Sequence, residues 1–505
     1  MEPITLTALA AAVGGRLVRA ADPDVRVGKD VVIDSRLVTP GALFVAFAGE
    51  RVDGHDFLVA AAGAGAAAAL VSREVDVALP QVVVDETVEG LSRLARAVVD
   101  NGAEHGLVVV GVTGSSGKTS TKDLIAQVLG ASAPTVAPPG SFNNEIGAPL
   151  TACRVDARTK FLVSEMGARG VGHIRHLAGI TPPAIGAVLN VGSAHVGEFG
   201  SVEAIARAKG ELVEALGPDG WAVLNADDPL VSAMATRTSA HLAAFSLTGE
   251  PVDVGGHPAE LRVWADDITA DDLQRFSFVL HASRVGADTH RGDIREPNVT
   301  GVSETPVSVE PDRAPVTLRV LGRHNVANAL AAAAVGLAAG LELDAVASAL
   351  SAATPLSRWR MELTTRSDGL AILNDAYNAN PDSMAAALHS LAAMRRPGGR
   401  LIAVLGTMLE LGEASADAHR TVGELAADLG IDEVLAVGDH GDNTVAGVAA
   451  RGGHGQYQDD KDQLAAVLNT LLGPRDVVLV KASRGLALET VVAALASQDE
   501  GDTHP

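Results

Sequence analysis

Gly111-Val112-Thr113-Gly114-Ser115-Ser116-Gly117-Lys118-Thr119 is the stretch that decides the fold of this chain. It follows the aliphatic run Leu107 to Val112, a buried-strand pattern, and leads into a helical stretch. In such a strand–turn–helix, the first backbone N–H groups of the helix converge where its dipole favours an anion. Gly114 and Gly117 let the backbone close around phosphates, Lys118 offers a point charge to a β- or γ-phosphate, and Thr119 suits Mg²⁺. Thr113, Ser115, Ser116 and Ser120 complete the candidate nucleotide loop. The usual spacing puts glycine at 112; this chain has Val112 there and Gly111 one place early. The bland alternative is an ordinary Gly/Ser turn, and the strand–turn–helix setting argues against it. A GTPase switch would also want an Asn-Lys-x-Asp element, and the dipeptide Asn-Lys does not occur.

Outward from this loop, buried-type strands recur at Phe161 to Val163, Ala184 to Leu189 and Ala222 to Leu224, with helical stretches between them. That alternation predicts a parallel sheet covered on both faces. Before it, short apolar runs (Val31 to Ile33, Leu43 to Ala46, Ala67 to Val71, Gln81 to Val84) and a helix over Val88 to Val99 predict a small mixed α/β domain. Asn101-Gly102 reads as a turn and linker. From Gly249 to Pro315 the pattern degrades into strands with a long loop, Gly286 to Pro315, to which no chemistry is assigned. Asn325 to Ala339 is a strong helix former. After Pro355, strands at Leu370 to Leu373, Leu401 to Leu405, Glu433 to Val437 and Asp476 to Val480 alternate with helices such as Met384 to Met394 and His419 to Leu429. These predict a second, Rossmann-like α/β unit. The expected domains are 1–104, 105–354 and 355–505, in keeping with roughly 150 residues per domain.

The 505 residues carry 39 Lys and Arg against 62 Asp and Glu, a net charge of −23, which argues against non-specific nucleic-acid binding. With 47% hydrophobic residues each unit can bury a core, and with 3% aromatics those cores must be aliphatic and small-residue packed. A single cysteine, Cys153, cannot form an intrachain disulfide. No charged n-region followed by an apolar h-region opens the chain, and Phe57 to Val71 is too short for a membrane helix. The expectation is a cytoplasmic protein with no membrane insertion.

Around the loop stand Ser141-Phe142-Asn143-Asn144-Glu145-Ile146-Gly147, Ser164-Glu165-Met166-Gly167, Asn190 to His195, Lys209, and Gly322-Arg323-His324-Asn325-Val326-Ala327-Asn328. Further on come Arg360, Asp375-Ala376-Tyr377-Asn378-Ala379-Asn380-Pro381, Gly406-Thr407-Met408 and Lys481-Ala482-Ser483-Arg484-Gly485. Glu165 and His195 fall at the ends of predicted strands, where open α/β sheets bind ligands, and both could serve a metal. Taken alone, Lys209 reads as a solvated helix lysine, Asn325 as a helix cap, and Asn378 to Pro381 as a turn before a helix capped by Asp382 or Ser383.

With these motifs the chain resembles, essentially end to end, the Mur ligases of peptidoglycan synthesis. Asp34-Ser35-Arg36 and Asp53-Gly54-His55 are similar to the uridine-nucleotide domain of that family. The asparagine segment from Asn143 is most like that of the branch joining D-alanyl-D-alanine to UDP-N-acetylmuramoyl-tripeptide. The resemblance implies an ATP- and Mg²⁺-dependent amide ligase, working through an acyl phosphate and acting as a monomer. It implies catalytic roles for Lys118, Glu165, His195, Lys209 and Arg360, with Thr119, Glu165, His195 and a carbamylated Lys209 around the metal. ATP contacts are implied for Thr113 to Ser120, Asn325, Asn328, Arg360, Asp375, Tyr377, Asn378 and Asn380. The UDP-substrate side falls to Ser35, Arg36, Asp53, His55, Asn143 and Asn144, and the D-alanyl-D-alanine side to Ser483 and Arg484. Thr407 replaces an acidic residue of the family pattern, and Ala482 a glycine. A sibling adding the third residue would carry an Asp-Asn-Pro clamp, which is missing here, and a folate polyglutamylating relative would lack the Asp34-Ser35-Arg36 domain. A non-catalytic nucleotide-binding module would have no reason to keep Glu165, His195 and Lys209 together.

Overall fold

The structure is a computed structural model, and it describes residues 1–28, 30–49, 52–192, 196–285 and 311–497. Its centre is a nine-stranded sheet with the predicted loop strand, Val108–Thr113, inside it. On one side lie Phe161–Glu165 and then Thr135–Val136; on the other follow Ile185–Val188, Trp221–Asn225, His241–Ser246 and Leu261–Ala270, all parallel. Arg275–Arg284 and Asp312–Leu321 then extend the sheet antiparallel. The parallel strands are almost wholly apolar, as burial on both faces requires.

Small residues do much of the packing, as the low aromatic content predicts. Helix His324–Ala338 buries Ala329 to Val335 completely and lies against the loop helix Lys118–Gly130. That close approach is what carries Asn325 and Asn328 to the phosphate loop.

A five-stranded N-terminal sheet has the order Arg16–Val18, Gln81–Val83, Ala68–Val71, Leu43–Val45, Val31–Val32. A six-stranded C-terminal sheet has the order Glu362–Thr365, Ala371–Asp375, Val477–Lys481, Leu401–Gly406, Glu433–Val437, Gly455–Gln458, with the first strand antiparallel and the rest parallel. The three sheets give the α/β architecture expected from the alternating pattern.

Three local expectations are corrected. The helix predicted to stop near Val99 runs over Thr87–Glu104, so Asn101-Gly102 is helical; the chain turns instead at Gly106, whose φ is +81°. Leu107 folds back onto Gly102, and a side chain at 102 would collide with it. Second, Asp312–Leu321 is a strand, although the sequence pattern predicts loop as far as Pro315. Pro315 weakens the signal, yet it is tolerated because this is the sheet's edge strand. Residues 286–310 of that predicted loop lie outside the described residues. Third, Asn380 caps helix Pro381–Ala392, reciprocally with Ser383 at its third position, rather than Asp382 or Ser383 capping it.

In the C-terminal unit, helices Ser415–Asp428 and Gly441–Ala450 cross with their backbones in contact. A Cβ on Gly423 would overlap the Thr444 carbonyl, and one on Gly447 the Arg420 carbonyl. Backbone cannot swing aside as a side chain can. Gly423→Ala is therefore expected to cost ~1–3 kcal/mol by forcing the helices apart, read as an earlier unfolding transition in urea.

Candidate active site

The loop helix begins at Lys118 directly after Gly117, which sits at φ +77°, and no side chain caps it. Its first N–H groups are thus open toward the cleft. A Cβ at 117 would both strain the backbone and meet Asn328 Oδ1 at 2.7 Å, so the glycine is required twice over. Lys118 is half-buried, and its Nζ donates to the Gly114 and Ser115 carbonyls at 2.7 and 3.3 Å. Burial pulls its pKa below the usual lysine value, Arg360 adds to the fall, and Glu165 opposes it. Asn190 braces the loop by accepting from the Ser115 N–H through its carbonyl (3.1 Å) and from the Ser116 N–H through Oδ1 (2.9 Å). Thr113 is fully buried and donates to the Met166 carbonyl at 2.9 Å, which ties the loop strand to the Glu165 strand.

Glu165 ends its strand at 1% exposure. Its Oε1 accepts from Thr119 Oγ1 at 3.2 Å and from Asn143 Nδ2 at 2.8 Å, while Oε2 is buried with no partner. Arg360 enters from the C-terminal unit and donates through Nη2 to Thr119 Oγ1 and Ser141 Oγ, both at 3.1 Å. Its guanidinium lies over the Tyr377 ring, 4.3 Å from the centroid. An unpartnered buried carboxylate oxygen beside two hydroxyls is a donor set that fits a hard cation such as Mg²⁺. Among the described residues no three His, Cys, Asp or Glu side chains converge as a ready-made metal cluster. His195 lies outside the described residues. Lys209, expected on its own pattern to be a solvated lysine, is 4% exposed on helix Val202–Glu214. Its pKa falls well below the ordinary lysine value, chiefly through burial and secondly through the charge of Lys118.

Between the middle and C-terminal units opens a cleft of about 180 Å³. Ser116, Gly117, Ser120, Asn325, Asn328, Arg360 and Asp375, seven of the residues expected around ATP, line it. The helix there starts at His324 with Arg323 at the cap position, so Asn325 is not the cap. Instead Asn325 donates to the Leu321 carbonyl at 2.7 Å and accepts from Asn328, which in turn accepts from Thr121 at 3.0 Å. Asp375 accepts from Lys481 Nζ at 2.6 Å and from the Met361 N–H at 3.2 Å. Asn378 offers its carbonyl to the same ammonium at 2.9 Å. Tyr377, Asn378 and Asn380 therefore brace the wall through ring, carbonyl and cap. The cleft is also lined by Asn190, Asn225, Phe245, Asp382 and Lys481, which the sequence reading did not put in the nucleotide site. Asn225 and Phe245 fall at strand C-terminal ends, a signal that was available.

In the N-terminal unit, Ser35 and Arg36 lie on the short turn Ser35–Leu37. Arg36 is largely solvent-exposed and pairs with Asp34 at 2.6 Å, holding that carboxyl at a pKa of about 2. Asp53 accepts from the His55 N–H at 2.9 Å, His55 Nδ1 at 2.6 Å and Arg73 at 2.8 Å. His55 is buried and takes the Ser72 N–H on its other nitrogen, so this pair builds the loop. Asn143 reaches Glu165 rather than Ser35 and Arg36, and Asn144 accepts the Gly147 N–H at 2.9 Å at the start of helix Gly147–Ala152. On the C-terminal strand-end loop, Ser483 Oγ accepts the Leu409 N–H at 3.1 Å, and Arg484 lies over the Trp359 ring at 4.3 Å. Thr407, in place of the family's acidic residue, donates to the Asp439 carbonyl at 3.1 Å.

Three family models match this chain in order. They are "Mur ligase family, catalytic domain" over 29–102, "Mur ligase middle domain" over 112–336, and "Mur ligase, glutamate ligase domain" over 359–484. The UDP-N-acetylmuramoyl-tripeptide–D-alanyl-D-alanine ligase of Mycobacterium tuberculosis is 41% identical, the match covering 99% of each chain. The Escherichia coli protein of that name is 37% identical over 92% of this chain and 93% of its own. Among solved structures, MurF from Acinetobacter baumannii superposes with a TM-score of 0.81 at 29% identity, covering 98% of this chain and 99% of its own. The MurF ligase of Thermotoga maritima in complex with ADP gives 0.72 at 28%, over 94% and 98%. On an identity of that size over its whole length, and with the loop, carboxylate and arginine just described, this chain belongs to the Mur ligase family.

Proposed function

We propose that this chain joins D-alanyl-D-alanine to UDP-N-acetylmuramoyl-tripeptide, converting ATP to ADP and phosphate in the course of peptidoglycan precursor synthesis. The observation that carries this reading is the end-to-end match, at 41% identity, to ligases named for that reaction. The tripeptide's terminal carboxylate attacks the γ-phosphorus and ADP leaves. The dipeptide amine then attacks the acyl carbon of the resulting acyl phosphate, loses a proton, and expels phosphate.

The first step brings an anionic carboxylate against a triphosphate, so its barrier is largely electrostatic. Lys118 and the free N–H groups after Gly117 receive the β- and γ-phosphates. Arg360 offsets charge on the transferring group from the opposite wall, which requires the C-terminal unit to be docked on the middle one. Thr119 and Glu165 would hold Mg²⁺, with His195 and a carbamylated Lys209 serving a second ion. Bound there, Mg²⁺ offsets the repulsion between carboxylate and triphosphate. The carbamate has a physical basis in Lys209 itself. Burial and Lys118 both favour its neutral amine, and a neutral amine adds CO₂ with loss of a proton.

Ser35 and Arg36 are assigned to the UDP end, and Ser483 and Arg484 to the incoming dipeptide. The working units remain 1–104 for the UDP substrate, 105–354 for ATP and 355–505 for the amine. Every assigned residue lies on one chain, so a monomer suffices. ATP and a UDP-linked precursor place the work in the cytoplasm. Among the described residues no helix is long and apolar enough to cross a membrane.

Lys118→Ala should abolish phosphate release while leaving the unfolding transition in place, because the ammonium braces loop carbonyls and not a core. Near-normal turnover by the folded variant would refute the loop's role. Sustained phosphate release should need UDP-N-acetylmuramoyl-tripeptide and D-alanyl-D-alanine together. Turnover with glutamate or an L-amino acid, and none with the dipeptide, would move the chain to another branch. Lys209→Ala should lose about ten- to a hundredfold in kcat, the usual cost of removing a group that supports a metal, and regain part of it with added short carboxylic acids. Full activity in that variant would remove the carbamate.

A further inference from the structure

Trp359 stands next to Arg360 in sequence but serves a different arginine. Its backbone is left-handed at φ +61°, an uncommon state for so bulky a residue, and Met361 on the far side of Arg360 is left-handed as well at φ +49°. The surroundings hold this conformation. The Trp359 N–H donates to Glu362 Oε2 at 3.1 Å, its carbonyl accepts the Tyr377 N–H at 3.2 Å, and the Met361 N–H goes to Asp375. Strain kept in place by several partners marks a segment whose side-chain directions matter. Here it sends Arg360 to Tyr377, Thr119 and Ser141, and sends the indole to Arg484.

Arg484 is fixed from two sides, by the Trp359 ring at 4.3 Å and by the Glu489 carboxylate. Its side chain is still 50% exposed, so part of the guanidinium fork remains open to a ligand. The other cation of this strand-end loop, Lys481, is 2% exposed and committed to Asp375 and the Asn378 carbonyl. A dipeptide substrate brings a C-terminal carboxylate, which an arginine fork binds with defined geometry.

We propose that Trp359 is a positioning residue for the amine substrate. It orients Arg484 toward the carboxylate of D-alanyl-D-alanine and, through Tyr377, keeps that docking point in register with Arg360 on the phosphate side. The inference rests on the function proposed above.

The test compares steady-state constants of the full-length enzyme. Trp359→Leu should raise the KM for D-alanyl-D-alanine about tenfold, the size of a partly desolvated cation–π contact, and leave the KM values for ATP and UDP-N-acetylmuramoyl-tripeptide within about twofold. Trp359→Phe keeps a π face and should recover most of the loss. Arg484→Gln should raise the same KM, and adding Trp359→Leu to it should change little more, since the indole acts through that arginine. Equal shifts in all three KM values, a fall in kcat alone, no change at all, or additive effects in the double variant would each overturn the proposal. If Trp359→Leu does not fold, Trp359→Phe and Trp359→His carry the same comparison. A wild-type enzyme whose turnover ignores D-alanyl-D-alanine would instead overturn the function on which the inference rests, before any variant is compared.

Discussion

Arg360 donates to Thr119 and Ser141 across the boundary between the middle and C-terminal sheets, and the site's charge balance depends on that contact. Thr119 in turn donates to Glu165, so a guanidinium from one unit and a buried carboxylate from the other meet at a single hydroxyl. A carboxylate at 1% exposure is costly unless positive charge lies near. Lys118 supplies some from within the middle unit, and Arg360 adds more from the docked C-terminal unit. Docking and electrostatic completion are therefore one event. The boundary is seated at a second place, where Gly197 meets the backbone of Glu410 to Gly412 so closely that a side chain at 197 would overlap it.

What the sequence made legible was whatever local periodicity specifies. The strand before the loop, the helix after it, and the four strands after Pro355 fall within one or two residues of their expected places, because long aliphatic runs allow few alternatives. The resemblance added what periodicity cannot, since Glu165, Asn143 and Arg360 are far apart in sequence and meet only in the fold. The failures lie where tertiary contact overrides a local cue. Asn101-Gly102 carries a turn signal, yet Leu107 packs into the space the glycine leaves, and the helix continues. Asn325 has the composition of a cap, yet it lies inside the first turn, where its amide closes a link between Leu321 and Asn328. Trp359 gives no signal at all. Its role comes from a left-handed backbone and a cation–π contact to a residue 125 positions away.

The asparagine network shows how a structural link and a ligand wall can be the same residues. Asn328 Oδ1 accepts from Thr121 on the loop helix and crowds Gly117, while its amide donates to Asn325. These bonds fix helix His324–Ala338 against the loop helix through protein groups alone. A cleft wall set in this way loses little conformational freedom when a ligand binds, which is the advantage of building it on packed helices rather than on a loop.

Buried lysines in a chain of net charge −23 show most sharply which group is set apart for chemistry. Lys122 and Lys481 are each paired with a neighbouring carboxylate, Asp123 and Asp375, and each also donates to a backbone carbonyl. At both, a carboxylate and a carbonyl face the buried Nζ and offset its burial locally. Lys118 donates to two carbonyls and feels the opposing charge of Glu165, so it too retains reasons to stay charged. At Lys209 the two influences at work, burial and the charge of Lys118, both act against the ammonium. Removing an ion of that size from water costs several kcal/mol even after relaxation, so burial and the charge of Lys118 push Lys209 toward the neutral amine. A neutral amine is also the one form of lysine that can be turned into an anionic oxygen ligand, by addition of CO₂. The burial that makes Lys209 a poor structural cation is thus the property on which the proposed carbamate rests.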